Sequence, residues 1–312
     1  MIKKGDPIYL AGHKGLLGSA IYKKLKEKGY KNIIIRTRSQ LDLTDQKKTF
    51  KFITKFKPRL IIIAAAYVGG IKANDQFKAE FIYNNLMIQS NIIHSAFLNN
   101  IKNLIFFGSS CAYPKFSKQP IKEAYLLNGY LEKTNEPYAV AKISGIKMCE
   151  SYNSQYSLNY KCLMPCNTFG PNDNYDLETS HFLPAIIRKV HEIKLNKNKN
   201  LIIWGDGKVR RELLYVDDIA DACIFFMNKK IRETLINIGR GRDSTINEYI
   251  KIIKKIILPN KKFKIIYDHT KPKGTKQKLL DISLAKKYGW RPKFDLEESI
   301  RKTYKAYLNS MN

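Results

Sequence analysis

A doubly wound parallel α/β sheet, joined to a smaller C-terminal α/β domain, follows from three features of these 312 residues. Short apolar runs alternate with amphipathic stretches through the first half. Three glycines spaced three apart follow the first apolar run. The alternation then loses its regularity after Gly170-Pro171.

The apolar runs at residues 8–11, 33–35, 60–64 and 104–107 read as buried strands. Residues 16–28, 46–56 and 77–98 carry the helical spacing between them. A helix over residues 137–155 and a strand near 160–164 complete the first half. Beyond Pro171, helices are expected over 181–191, 217–227, 246–257 and 296–308, with strands over 201–204 and 235–238. The expected division is residues 1–171 for one domain and 172–312 for the other, with segments near 211–240 returning to the first.

Bulk composition narrows the function classes. The chain is 44% hydrophobic and 27% charged, as in ordinary globular proteins. No run of about 18 apolar residues is present, so no membrane span is expected. The start lacks the apolar stretch of a secretory signal, so a cytoplasmic location is expected. The cysteines Cys111, Cys149, Cys162, Cys166 and Cys223 are odd in number and form no CxxC pair. Neither a disulfide framework nor a metal site is expected. The net charge of +29 favours anionic ligands. Its lysines are scattered along the chain, which reads as a solvated basic surface and not a nucleic-acid site.

The first strand runs into Gly12-His13-Lys14-Gly15-Leu16-Leu17-Gly18. Glycines in the turn between a strand and a helix let the backbone approach a pyrophosphate, and the helix start offers free N–H groups. This is the dinucleotide site of a Rossmann-type sheet, with Gly12, Lys14, Gly15, Leu16, Leu17 and Gly18 as its expected loop. The second strand leads into Arg36 and Arg38. An NAD site usually has a carboxylate there, whereas arginine suits a 2′-phosphate, so NADPH is the expected cofactor.

Tyr138 and Lys142 stand four apart on an expected helix and so share one face. The phenol can protonate a carbonyl oxygen, and the nearby ammonium is expected to lower its pKa. Ser109, at a strand end, can hydrogen-bond the same oxygen.

The glycine loop, Ser109 and the Tyr138/Lys142 pair resemble the extended short-chain dehydrogenase/reductases. Longer strings narrow the match: residues 68–74 (VGGIKAN), 108–114 (GSSCAYP), 134–139 (TNEPYA), 165–171 (PCNTFGP), Ser180-His181 and 204–207 (WGDG). Together they resemble the GDP-L-fucose synthase family, whose members reduce a 4-keto sugar and epimerise its C3 and C5. That resemblance implies a GDP-linked 4-keto-6-deoxy sugar as substrate and makes Cys111 the base and His181 the acid. It places Lys189, Trp204 and Arg211 around the nucleotide diphosphate, and Asn167 and His181 beside the nicotinamide. Asp42 and Lys142 join the expected cofactor contacts, and a homodimer built on residues 77–98 and the Tyr138 helix is implied.

Three positions depart from the family pattern. Lys189 stands for an arginine, Lys273 for an aspartate, and Tyr67 for a residue that is commonly basic. They leave two readings open: a hexose reductase with 3,5-epimerase activity, or a C4 reductase alone, acting on a GDP-linked 6-deoxy-4-keto-heptose in surface polysaccharide biosynthesis. A 4,6-dehydratase would carry an acid pair where Ser110-Cys111-Ala112 stands. A redox-sensing binding protein on this fold often loses the Tyr/Lys pair, which is intact here.

Overall fold

The computed structural model describes residues 1–197, 199–270 and 274–311. Lys273 therefore lies outside the described residues. A six-stranded parallel sheet forms the centre, in the order β2-β1-β3-β4-β5-β9. Its strands are β1 (Ile8–Ala11), β2 (Ile33–Ile34), β3 (Leu60–Ile63), β4 (Asn103–Phe107), β5 (Asn159–Pro165) and β9 (Leu235–Ile238). Every residue of β1 and β3 is buried, because helices cover both faces.

The strand order reverses at β1. β2 pairs one of its edges and β3 the other. Right-handed crossovers therefore carry α1 (Leu16–Glu27) and α2 (Gln46–Phe56) to opposite faces. A ligand crevice opens at such a reversal, beyond the carboxyl ends of the strands. α1 packs on α7 (Val216–Asn228), while α4 (Lys78–Leu98) lies between α2 and α5 (Glu136–Tyr156).

Local chemistry sets the helix ends. The Asp45 side chain accepts from Lys48 N and caps α2, which stops at Lys57 in a left-handed conformation before Pro58. Pro137 stands in the first turn of α5, where a missing N–H costs no bond. The helix expected over 77–98 runs unbroken as α4, and a short α3 (Ile71–Gln76) precedes it; the two meet at Phe77, whose ψ of 47 interrupts the α-helical path.

The remaining elements stand over the carboxyl end of the sheet. β6 (Asn167–Phe169) pairs β8 (Arg210–Tyr215), which pairs β10 (Asp243–Thr245). β7 (Asn200–Trp204) pairs β11 (Lys264–Asp268) in parallel. α6 (Phe182–Lys194) packs on α8 (Ile246–Ile257), and α10 (Leu296–Asn309) backs α8. α9 (Ser283–Lys287) lies against β9. Among the described residues, no helix is long and apolar enough to cross a membrane.

Candidate active site

One cleft of about 640 Å³ runs from the first glycine turn to β7 and β8. At its floor, Gly12 has φ +89, which only glycine adopts without strain. A Cβ on Gly12 would stand 2.6 Å from Ala65 N, and one on Gly18 would stand 2.0 Å from the Gly12 oxygen. Gly15 caps α1, and a Cβ there would meet nothing closer than 3.6 Å. Two glycines thus pack the turn tightly and the third leaves open space before the helix N-terminus. That shape fits a pyrophosphate. Gly18 is buried behind the cleft wall, and Lys14 points to solvent outside it.

Arg36 and Arg38 line the same end. The Arg36 guanidinium rests 5.0 Å from the Phe56 ring centroid and donates to the Ile35 oxygen at 2.7 Å. Arg38 reaches Asp42 at 3.7 Å. Asp42 accepts from Thr44 N and Thr44 Oγ1, bonds that hold its carboxyl below the usual range. The end of β2 therefore presents two guanidinium groups, the donor set a 2′-phosphate requires.

The centre of the cleft is assembled by β4 and α5. Gly145 lets the helix lie close to the strand; a Cβ there would meet the Phe106 ring at 2.6 Å. That approach brings Tyr138 beside Ser109, which begins the turn after β4. Ser109 Oγ accepts from Cys111 N at 3.3 Å and fixes a short 3₁₀ turn over Ser110–Ala112. Ser109, Cys111, Tyr138, Lys142, Asn167 and His181 all line the cleft.

Lys142 shares the cleft with Tyr138, but its closest partner is a main-chain oxygen. Its ammonium donates to the Phe107 oxygen at 2.8 Å and stands 5.8 Å from the centroid of the Tyr138 ring. Burial pulls the Lys142 pKa down to about 8. Burial also pushes the Tyr138 phenol well up, and negative charge on Cys111 pushes the same way. The hydrogen bond with Ser109 is the one influence that lowers it. Desolvation outweighs the distant ammonium, so the phenol is held protonated.

His181 caps α6 instead of lying within it. The loop before it is tied down: Asp176 Oδ1 accepts from Glu178 N and Thr179 N, and Gly70 N donates to the Thr179 oxygen at 2.7 Å. The imidazole opens onto the cleft, while the mass of protein around it disfavours the cation and lowers its pKa.

At the far end, Lys189 donates to the Ile202 oxygen at 3.0 Å, and burial lowers its pKa. Trp204 ends β7. Arg211 donates to the Thr275 oxygen at 2.6 Å; burial lowers its pKa, opposed by negative charge on Cys111 and Glu132. Tyr67 also lines the cleft, its ring 4.8 Å from Phe81, which in turn lies 6.2 Å from Tyr138. Sequence reasoning missed Lys278, whose ammonium donates to Cys111 Sγ at 3.8 Å. It also missed Glu132, and gave no role to Thr134 at the head of the 134–139 string; both line the same wall. Lys278 sits in no motif, so only the fold reveals it. Among the described lining residues, Arg36, Arg38, Lys142, Lys189, Arg211 and Lys278 face two carboxylates, Asp42 and Glu132. Such a cleft suits ligands carrying several phosphates.

Comparison with known proteins agrees with this geometry. Residues 8–239 match the NAD dependent epimerase/dehydratase family. A putative GDP-L-fucose synthase 2 of Arabidopsis thaliana is 47% identical over 311 residues, covering 100% of this chain and 94% of the relative. The GDP-L-fucose synthase of Escherichia coli K12 is 42% identical over 314 residues, covering 98% and 97%. Among solved structures, a GDP-mannoheptose C4 reductase from Campylobacter jejuni with NADP bound superimposes with TM-score 0.89 at 37% identity, covering 99% and 100%. With the glycine turn and the Tyr138/Lys142 helix, these matches make the chain a GDP-L-fucose synthase-like member of the NAD dependent epimerase/dehydratase family, within the extended short-chain dehydrogenase/reductases.

Proposed function

We propose that this enzyme is an NADPH-dependent 4-keto reductase of a GDP-linked 6-deoxy-4-keto sugar, and that it also epimerises C3 and C5. The observation that carries the reading is the grouping of Ser109, Cys111, Tyr138 and His181 in one cleft with the glycine turn. Gly12, Gly15, Leu16, Leu17, Arg36, Arg38 and Asp42 hold NADPH, with Asn167 toward the nicotinamide. Bound there, NADPH supplies the hydride that reduces C4.

Tyr138 gives its phenolic proton to the C4 oxygen, and Ser109 hydrogen-bonds that oxygen. A C4 ketone acidifies the hydrogens on C3 and C5. Cys111 takes such a proton as its C–H electron pair moves into the enolate. His181 returns a proton to the opposite face and inverts the centre. Lys189, Trp204 and Arg211 hold the GDP.

In this reading residues 1–171, with returning segments of 211–240, bind the cofactor, and the rest of 172–312 binds the nucleotide sugar. Pairing of β9 with β5 supports it. α4 and α5 expose the apolar side chains Tyr83, Leu98, Val140 and Tyr156, which suit burial against a second copy in a homodimer. Reliance on NADPH and a nucleotide-linked substrate supports a cytoplasmic location.

The similarity to the GDP-mannoheptose C4 reductase favours one second reading: reduction of C4 alone on a GDP-linked 6-deoxy-4-keto-heptose. Incubation with NADPH and each GDP-4-keto-6-deoxy sugar in deuterated water separates the two. Deuterium at C3 and C5 is expected with the hexose. Reduction without label leaves C4 reduction alone, and no NADPH consumption with either sugar overturns both readings.

A further inference from the structure

We propose that Lys278 is a positioning residue that holds the Cys111 sulfur as a thiolate, poised to take a proton from carbon. The inference rests on the epimerase part of the reading above and supplies what that chemistry lacks, a cation at the base.

The contact is direct. Lys278 Nζ donates to Cys111 Sγ at 3.8 Å, within range of a hydrogen bond to sulfur. The backbone that carries the lysine is fixed on both sides. Its own oxygen accepts from Glu212 N at 3.3 Å, and Leu280 N donates to Glu212 Oε2 at 2.9 Å. Leu279 N donates to Gln119 Oε1 at 2.8 Å, and the Leu279 oxygen accepts from Ile121 N at 2.7 Å. The side chain therefore leaves a rigid segment bridging β8 and the loop after β4.

Other charged groups face Cys111 but serve it less well. Tyr138, from α5, is a potential anion, and a thiolate beside it opposes its ionisation. Arg211, from β8, gains from a negative sulfur, yet its Nη1 already donates to the oxygens of Arg210 and Thr275. Lys142 is turned to the Phe107 oxygen. Lys278 donates directly to the sulfur. Its ammonium offsets the thiolate charge next to a phenol that must stay protonated for reduction. When carbon is deprotonated, the proton moves to sulfur and the C–H pair enters the enolate. Lys278 keeps its own protons throughout.

Alkylation tests this without substrate. Cys149, Cys162, Cys166 and Cys223 are buried, which leaves Cys111 for iodoacetamide to reach. Labelling of the Cys111 peptide is followed by mass spectrometry across pH in the native chain, Lys278→Gln and Lys278→Arg, with thermal melts as the control of folding. Lys278→Gln is expected to slow labelling about tenfold near neutral pH and to converge with the native chain in alkali, with Lys278→Arg restoring most of the rate. Equal labelling of native and Lys278→Gln chains at every pH overturns the proposal. Should Lys278→Gln not fold, Lys278→Arg and Lys278→Met decide by the same comparison. Deuterium entry at C3 and C5 is measured in parallel and should fall with the labelling rate. A native chain that takes up no deuterium removes the epimerase reading, while the labelling profile still decides the Lys278 contact.

Discussion

Lys142 donates an ammonium hydrogen to the main-chain oxygen of Phe107 across 2.8 Å. The bond fixes the charge at the carboxyl end of β4, and burial brings its pKa down to about 8. A native value below the unfolded one means that the folded chain sheds this proton first. Catalysis that uses the ammonium should therefore fall as pH rises through about 8, by roughly tenfold per unit. Stability moves the other way: between about 8 and the unfolded value near 10.4, the unfolded chain binds more protons, so this group adds stability with rising pH. Rate profiles at saturating NADPH check the first sign. A Lys142→Met enzyme should lose most of its activity along with that alkaline limb, and an unchanged limb would mean that another group titrates.

Tyr138→Phe removes the proposed acid while keeping the ring that meets Phe81 edge-on at 6.2 Å. Turnover should fall by about 10²–10⁴, the worth of one positioned acid. NADPH affinity, read from fluorescence quenching, should hardly change. Deuterium exchange at C3 and C5 should fall less than reduction, because Ser109 still offers a hydrogen bond to the enolate oxygen.

Arg36 is held between the Ile35 oxygen and the Phe56 ring, so its guanidinium is already ordered. Arg36→Glu should cut kcat/KM for NADPH by about 10- to 100-fold, as one charge-assisted bond becomes a repulsion. NADH should be affected far less. Measuring the ratio of the two cofactors isolates the 2′-phosphate, and a retained preference for NADPH would shift the assignment to Arg38.

Much of this architecture was legible because buried parallel strands announce themselves as unbroken apolar runs. Residues 8–11 and 235–238 were placed to the residue for that reason. The smaller sheets were harder. β10 is three half-buried residues, Asp243–Thr245, and β8 opens with two arginines, so neither shows an apolar signature. The cleft was largely readable because the glycine turn, Ser109 and Tyr138 lie in motifs whose spacing carries the geometry. Lys278 and Glu132 were not, since their roles arise from contacts across 167 residues in one case and from a lone carboxylate in the other. The main-chain partner of Lys142 was not legible because spacing reports which face a side chain shares but not which oxygen it meets.

Gly15 and Gly18 should respond oppositely to a single methyl group. At Gly18 an added Cβ would stand 2.0 Å from the Gly12 oxygen and 3.0 Å from His13 Cα, both backbone atoms that cannot step aside. Gly18→Ala must displace the turn or α1, which costs about 1–3 kcal/mol, so both melting temperature and NADPH binding should drop. Gly15 has φ −76, which alanine adopts freely, and its nearest neighbour is 3.6 Å away. Gly15→Ala should melt like the native chain, yet bind NADPH more weakly, because its Cβ enters the space before the helix N-terminus. Thermal melts and NADPH titrations on the two variants read these outcomes separately. A Gly15→Ala chain with native affinity would show that the pyrophosphate does not come close to this turn.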